Sequence, residues 1–211
     1  MTEEAAAMVW DVPAEFNFAR DVVDALARED RRGLLFVDAA GNRREYTFAE
    51  VADLSKRWAA VLRDAGVRKG DRVVLVLPKI PDWLFAMTAL LRIGAVAVPS
   101  AEQLRAKDLL YRANHSGAIA VVAHASNAAE FEAMRADAPT LKTWLLVGGE
   151  RAGWTAVEPL LERAQPWDGE RTARDDMAYI VYTSGTTKDP KGVVHSVAYT
   201  FAKRMQAAVW F

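Results

Sequence analysis

Apolar residues recur along this 211-residue chain in two alternating rhythms. Segments 72–77, 95–98, 118–123, Thr143–Val147 and Met177–Thr183 are short, rich in Val, Leu, Ile and Ala, and show little polar alternation. Between them, 82–92, 107–116, 127–136 and 155–164 have helical spacing, and so does the segment from Val197 onward. Near-continuous apolar strands alternating with helices predict an α/β fold: a mostly parallel sheet with helices on both faces. Gly94 and Gly117 stand where helices must stop, because Gly enters the left-handed region without a Cβ penalty.

The first third of the chain has a different pattern. Residues 8–17 read as an irregular arm carrying Trp10, Val12 and Phe16, and 18–29 as a helix with Asn17 as its N-cap. Short strands at 34–37 and 44–46 flank the turn-forming stretch Asp38-Ala-Ala-Gly41-Asn42. Thr47-Phe-Ala-Glu50 is a capping-box pattern opening a helix that carries Val51, Leu54, Trp58, Val61 and Leu62 and stops at Gly66. Residues 1–70 therefore form an arm, helices and a hairpin, and 71–211 an α/β unit. The polar stretch 165–176, with Pro166 and Gly169, reads as a surface connection within that unit.

Composition narrows the function. Hydrophobic residues make up 52% and charged residues 26%, which excludes a disordered chain. The 27 Lys and Arg balance 28 Asp and Glu, so nothing drives the chain toward nucleic acid or an anionic membrane. No Cys is present, which excludes disulfides, thiol catalysis and Cys-ligated zinc, and fits a reducing compartment. The only His residues are His115, His124 and His195, and no metal ligands are assigned. Residues 1–7 lack a secretory pattern, and the apolar run 84–91 is far short of the roughly 20 residues that span a bilayer. These readings point to a cytoplasmic protein and leave its oligomeric state open.

One stretch carries chemistry: Tyr182-Thr-Ser-Gly-Thr-Thr-Lys-Asp-Pro-Lys-Gly192. It follows a buried strand, precedes a predicted helix, and lies where open α/β sheets bind ligands. Thr183, Ser184, Thr186 and Thr187 place four hydroxyls within five residues, and Lys188 and Lys191 add positive charge. Gly185 and Gly192 let the backbone turn its N–H groups toward one anion. Pro190 keeps the segment out of a helix. A solvated turn needs a Gly and a Pro, not this density of hydroxyls and lysines behind a buried strand. The spacing is not G-x-x-x-x-G-K-[ST], and the chain has no G-x-G-x-x-G.

These residues resemble the phosphate-binding signature of the adenylate-forming superfamily, which includes acyl-CoA synthetases, peptide-synthetase adenylation domains and firefly luciferase. Tyr46-Thr-Phe-Ala-Glu50, Gly66-Val-x-Lys-Gly-Asp-Arg-Val73 and Leu91-Arg-Ile-Gly-Ala-Val96 extend the resemblance over nearly the whole chain. Pro78-Lys-Ile-Pro-Asp-Trp83 and the stretch from Pro99 to Arg112 look most like acetate and medium-chain acyl-CoA synthetases. Lys188 stands where the family commonly has Gly.

The resemblance implies the N-terminal part of the adenylate-forming fold, and a ligase that uses ATP and Mg²⁺ to convert a carboxylic acid to acyl-AMP and then transfers the acyl group to CoA, as in fatty acid metabolism. It implies phosphate contacts from Thr183, Ser184, Gly185, Thr186, Thr187, Lys188, Lys191 and Gly192, with Lys191 as the catalytic cation. Family members are much longer, and their later signatures do not occur here. The expectation is an N-terminal piece of such an enzyme, inactive alone. Two alternatives stay open: a non-catalytic phosphate-binding module of the same fold, and a luciferase-like or peptide-synthetase adenylation enzyme. Other residues have plainer readings. His195 lies near the ligand or caps the next helix, His115 sits on a helix end, Trp58 and Trp83 are core, and Arg105, Lys107 and Arg112 are a solvated patch or, alternatively, contacts for the CoA phosphates.

Overall fold

The computed structural model describes residues 11–184 and 189–210. The arm leads into a helical segment in which a π-helical turn, Ala19–Val23, runs into α1 (Asp24–Leu26). Asn17 caps it as expected: its Oδ1 accepts the Ala19 and Arg20 N–H groups at 3.1 and 3.3 Å. Strands β1 (Arg32–Val37) and β2 (Arg43–Thr47) form the antiparallel hairpin, and the Asp38 carboxylate accepts N–H groups from Ala40 and Asn42 across its turn. The predicted capping box opens α2 (Phe48–Asp64): Thr47 accepts the Glu50 N–H and Glu50 accepts the Thr47 N–H.

The alternation that follows is β3 (Arg72–Val76), α3 (Pro81–Ile93), β4 (Val96–Pro99), α4 (Ala106–Ser116), β5 (Ala120–His124), α5 (Ala128–Met134) and β6 (Thr143–Val147). Next come β7 (Thr155–Ala156), α6 (Glu158–Arg163), β8 (Met177–Thr183), β9 (Lys191–Ser196) and α7 (Val197–Trp210). The sheet order is β7-β6-β5-β3-β4-β8-β9. Every neighbouring pair is parallel except β8 and β9. Period-two alternation sorts the strand residues onto two buried faces. Val73, Leu75, Ala97 and Val122 face the helices α2, α3 and α6, in a core that also takes in Val51, Trp58 and Leu90. Val74, Val76, Val98 and Val121 meet Leu109 and Ala113 of α4 and Phe131 and Met134 of α5. Gly94 and Gly117 end α3 and α4 in the left-handed conformation.

The structure corrects several sequence expectations. Segment 155–164 is not helical throughout. Thr155 and Ala156 pair with Leu145 and Leu146, and the helix starts only at Glu158, because Pro159 belongs in a helix's first turn. The phosphate-loop segment does not lead into a helix. It returns as β9, whose β-branched Val193 and Val194 pair with Val181 and Ile180. Trp83 is 36% exposed rather than core. It lies in the first turn of α3 on a cavity of about 520 Å³, shared with Leu34, Phe36, Leu77 and Ile80. The connection 165–176 does more than cover surface: Thr172 is buried, and the Thr172 carbonyl accepts the Phe16 N–H at 3.1 Å.

That connection docks on Arg92, a fully buried side chain at the end of α3. Its guanidinium donates to both Asp24 oxygens at 2.7 and 2.8 Å and to Ser55 Oγ at 3.0 Å. Its carbonyl accepts the Glu170 N–H at 3.0 Å, and Gly169, at φ +90°, lies so close that a Cβ would strike the Arg92 backbone. Breaking one partner of a buried pair leaves an uncompensated charge. Arg92→Ala is expected to destabilise the chain by about 3 kcal/mol, read from urea unfolding. Arg92→Lys should recover only part of this, since an ammonium cannot reproduce the planar fork.

Candidate functional site

Strand β8 lies beside β4, joined at Ala97 and Tyr179. It ends at the carboxyl edge of the parallel sheet, where open α/β sheets take ligands. The chain turns and comes back as β9, with Thr183 opposite Lys191 and Tyr182 opposite Gly192. Directly opposed residues of an antiparallel pair present their side chains on one face. Thr183 and Lys191 therefore share one face at the exposed mouth of the hairpin, and Ser184, the next residue, is also exposed there. Gly185, Thr186, Thr187 and Lys188 lie outside the described residues.

Gly192 does not turn the chain, as the sequence reading had it; it is paired strand. A Cβ there would come within 3.1 Å of Ile180 Cγ2 and 3.3 Å of Tyr182 Cζ. Its role is to let the Tyr182 ring lie across the hairpin. His195 does not cap α7 either. It belongs to β9, stacks 4.7 Å from the Tyr179 ring and 4.3 Å from Tyr199, and pairs in register with Tyr179. Burial pushes the Tyr179 phenol up to about 12, with Tyr199 adding to the shift.

The structure also brings in residues that sequence reasoning set aside. The last two turns of α4 pack beneath both feet of the loop. The Tyr111 hydroxyl donates to the Pro190 carbonyl at 3.0 Å. His115 Nδ1 hydrogen-bonds the Tyr182 hydroxyl at 2.8 Å. Tyr111 and His115 stack with ring centroids 5.2 Å apart, and the Arg112 guanidinium lies over the Tyr182 ring at 5.3 Å. Burial also raises the Tyr182 phenol above its ordinary value. The spacing of Tyr111 and His115 puts both on one helix face, but nothing local says which strand that face will meet. Arg105 pairs instead with Glu130 at 3.1 Å.

This arrangement suits a polyphosphate: exposed hydroxyls and a lysine on a hairpin whose base is fixed by aromatic packing. Among the described residues, no group of three or more His, Asp or Glu side chains converges as a metal cage. The described donors are hydroxyl and ammonium groups, which fit phosphate oxygens rather than a divalent cation.

Residues 23–210 match the family described as AMP-binding enzyme. The chain is 39% identical over 195 residues to the mitochondrial acyl-coenzyme A synthetase ACSM5 of Mus musculus, covering 88% of this chain and 34% of that protein. It is 36% identical over 210 residues to the mitochondrial acyl-coenzyme A synthetase ACSM2 of Rattus norvegicus, covering 95% of this chain and 37% of that protein. Among solved structures it is similar to the anthranilate CoA ligase AuaEII in complex with anthranoyl-AMP, with a TM-score of 0.85 at 25% identity over 96% of this chain and 38% of that one. The acetoacetyl-CoA synthetase from Streptomyces lividans gives a TM-score of 0.84 at 25% identity, over 92% of this chain and 32% of that one. The chain thus spans about a third of the length of the curated relatives.

Two outcomes follow from the packing. Gly192→Val should cost about 1–3 kcal/mol in urea unfolding, by forcing Ile180 and Tyr182 apart. The Tyr179 phenol titrates higher in the fold than its ordinary value of 10, so its contribution to stability is full below pH 10 and is lost as pH rises toward about 12. The slope of unfolding free energy against pH across that window should be shallower in Tyr179→Phe than in the wild type.

Proposed function

The chain belongs to the AMP-binding enzyme family, and we propose that it carries the ATP phosphate-binding loop of an AMP-forming carboxylate–CoA ligase. The observation that carries this reading is the hairpin mouth, where Thr183 stands opposite Lys191, with Ser184 next to it, inside the segment that resembles the family's phosphate signature. In the proposed reaction a carboxylate oxygen attacks the α-phosphorus of ATP. The new O–P bond forms as the bond to the β-phosphate bridging oxygen breaks, and pyrophosphate leaves. CoA sulfur then attacks the acyl carbonyl, and AMP departs.

Negative charge grows on pyrophosphate during the first step, so donors already aimed at the β- and γ-phosphates lower the barrier. Thr183 and Ser184 supply hydroxyl donors, and Lys191 supplies a point charge. Gly185, Thr186, Thr187 and Lys188 complete the loop in this reading. Magnesium would arrive with the nucleotide phosphates, since this hairpin offers hydroxyl and ammonium donors. The substrate class is a small or medium carboxylic acid, in keeping with the acyl-coenzyme A synthetases among the relatives.

The test is carboxylate-dependent exchange of pyrophosphate into ATP by the full-length product of the gene, with acetate, octanoate, benzoate and a set of amino acids. Exchange with at least one of the three carboxylates is expected. Lys191→Ala should lower kcat by about 100-fold while leaving KM for the carboxylate nearly unchanged. Wild-type kinetics in that variant would remove Lys191 from the site, and exchange with amino acids alone would replace the CoA ligase by a peptide-synthetase type of enzyme.

A further inference from the structure

We propose that Tyr111 is a positioning residue for Lys191, acting through the Pro190–Lys191 peptide. This rests on the phosphate-loop reading above.

Pro190 is the last residue before β9. Its ring fixes φ and removes its N–H, so the freedom left at the exit of the loop is rotation of its carbonyl. That carbonyl oxygen and the Lys191 N–H belong to one planar unit. Whatever holds the oxygen therefore sets the direction in which Lys191 begins the strand. Tyr111 holds it, by a hydrogen bond of 3.0 Å.

The donor stands on a rigid support. Leu109 and Ala113, on either side of Tyr111, are fully buried under the sheet. The Tyr111 ring stacks on His115 at 5.2 Å and meets the Tyr182 ring edge-on at 6.1 Å. His115 in turn bonds the Tyr182 hydroxyl. One helix face thus grips the strand that enters the loop and the residue that leaves it. The grip matters because β9 has only β8 beside it among the described residues, and Val193 and Val194 are 41% and 53% exposed. An edge strand paired on one side has little else to fix its first residue. A lysine acting as a point charge on a leaving group must be placed closely, since a displacement of about 1 Å at a reacting centre costs large factors in rate.

Tyr111→Phe removes the hydroxyl and keeps the ring. In the full-length enzyme, assayed by pyrophosphate exchange with whichever of acetate, octanoate or benzoate is used best, kcat is expected to fall about tenfold. KM for ATP should rise, while KM for the carboxylate and the thermal midpoint stay at their wild-type values. In a Lys191→Ala background the same substitution should cost less than about twofold, because the group being positioned is gone. Wild-type kinetics in Tyr111→Phe, with Lys191→Ala impaired, overturn the clamp and leave the phosphate loop standing. Equal losses in both backgrounds give Tyr111 a packing role and also overturn it. Unimpaired exchange by Lys191→Ala, or no exchange with any carboxylate, removes the phosphate-loop reading and the clamp with it.

Discussion

Arg92 is the point at which sequence-distant parts of this chain are held to one another. A guanidinium with no solvent exposure has to be paired, because an isolated buried charge is too costly to keep. The partners come from three directions: Asp24 from α1, Ser55 from α2, and the returning segment, whose Asp168 carbonyl lies 3.4 Å away. Lys56 bridges the side chains of the same two aspartates, 2.6 Å from the Asp168 carboxylate and 3.7 Å from that of Asp24. After α6 the chain is on the β7 side of the sheet and must come back to lay β8 beside β4. Residues 165–176 make that crossing along α2 and α3, with the Trp167 N–H on the Lys56 carbonyl and the Glu170 N–H on that of Arg92. The position of β8, and so of the loop it carries, depends on this buried pair.

Two faces of β8 then do different things. The Tyr182 side is locked to α4 through His115 and Arg112. The Tyr179 side is packed by His195 and Tyr199, with the Lys203 ammonium 5.2 Å from the Tyr199 ring. The hairpin is held at its base by aromatic rings, and its mouth carries exposed hydroxyl and ammonium groups. Rigid support beneath a polar tip is what a preorganised anion site requires.

Much of this was legible in the sequence wherever the cause is local. Thr47 and Glu50 specify their capping box within one turn, Gly94 and Gly117 mark helix ends, and the apolar runs of β3 to β6 announce a sheet covered on both sides. The loop's composition, and the family resemblance built on it, pointed to the sheet edge at which β8 ends. What the sequence concealed depends on distant partners. Val193 and Val194 form too short a run beside α7 to be read as a strand, and become one only because β8 offers an open edge. Arg92 looks like an ordinary basic residue in a helix's last turn until Asp24 and Ser55 fold around it. Tyr111 and His115 gain their significance from a strand some seventy residues away, brought near by the adjacency of β4 and β8.

The antiparallel return after the loop has an electrostatic consequence. In strand–loop–helix phosphate sites, the aligned peptide dipoles of the following helix supply roughly half a positive charge at the anion. Here the six residues of β9 intervene and run away from the loop, so α7 begins about 20 Å off, at the opposite edge of the sheet. That partial charge is out of reach. In the proposed reading, the positive environment of a bound anion comes from lysine and hydroxyl side chains instead, in keeping with their crowding in the sequence between Thr183 and Lys191. The Lys191 side chain at the hairpin mouth is exposed and so open to counterions, whose screening length is about 8 Å at physiological ionic strength. In the proposed reading, an anion held here feels a softer, more salt-sensitive field than a helix-capped loop provides.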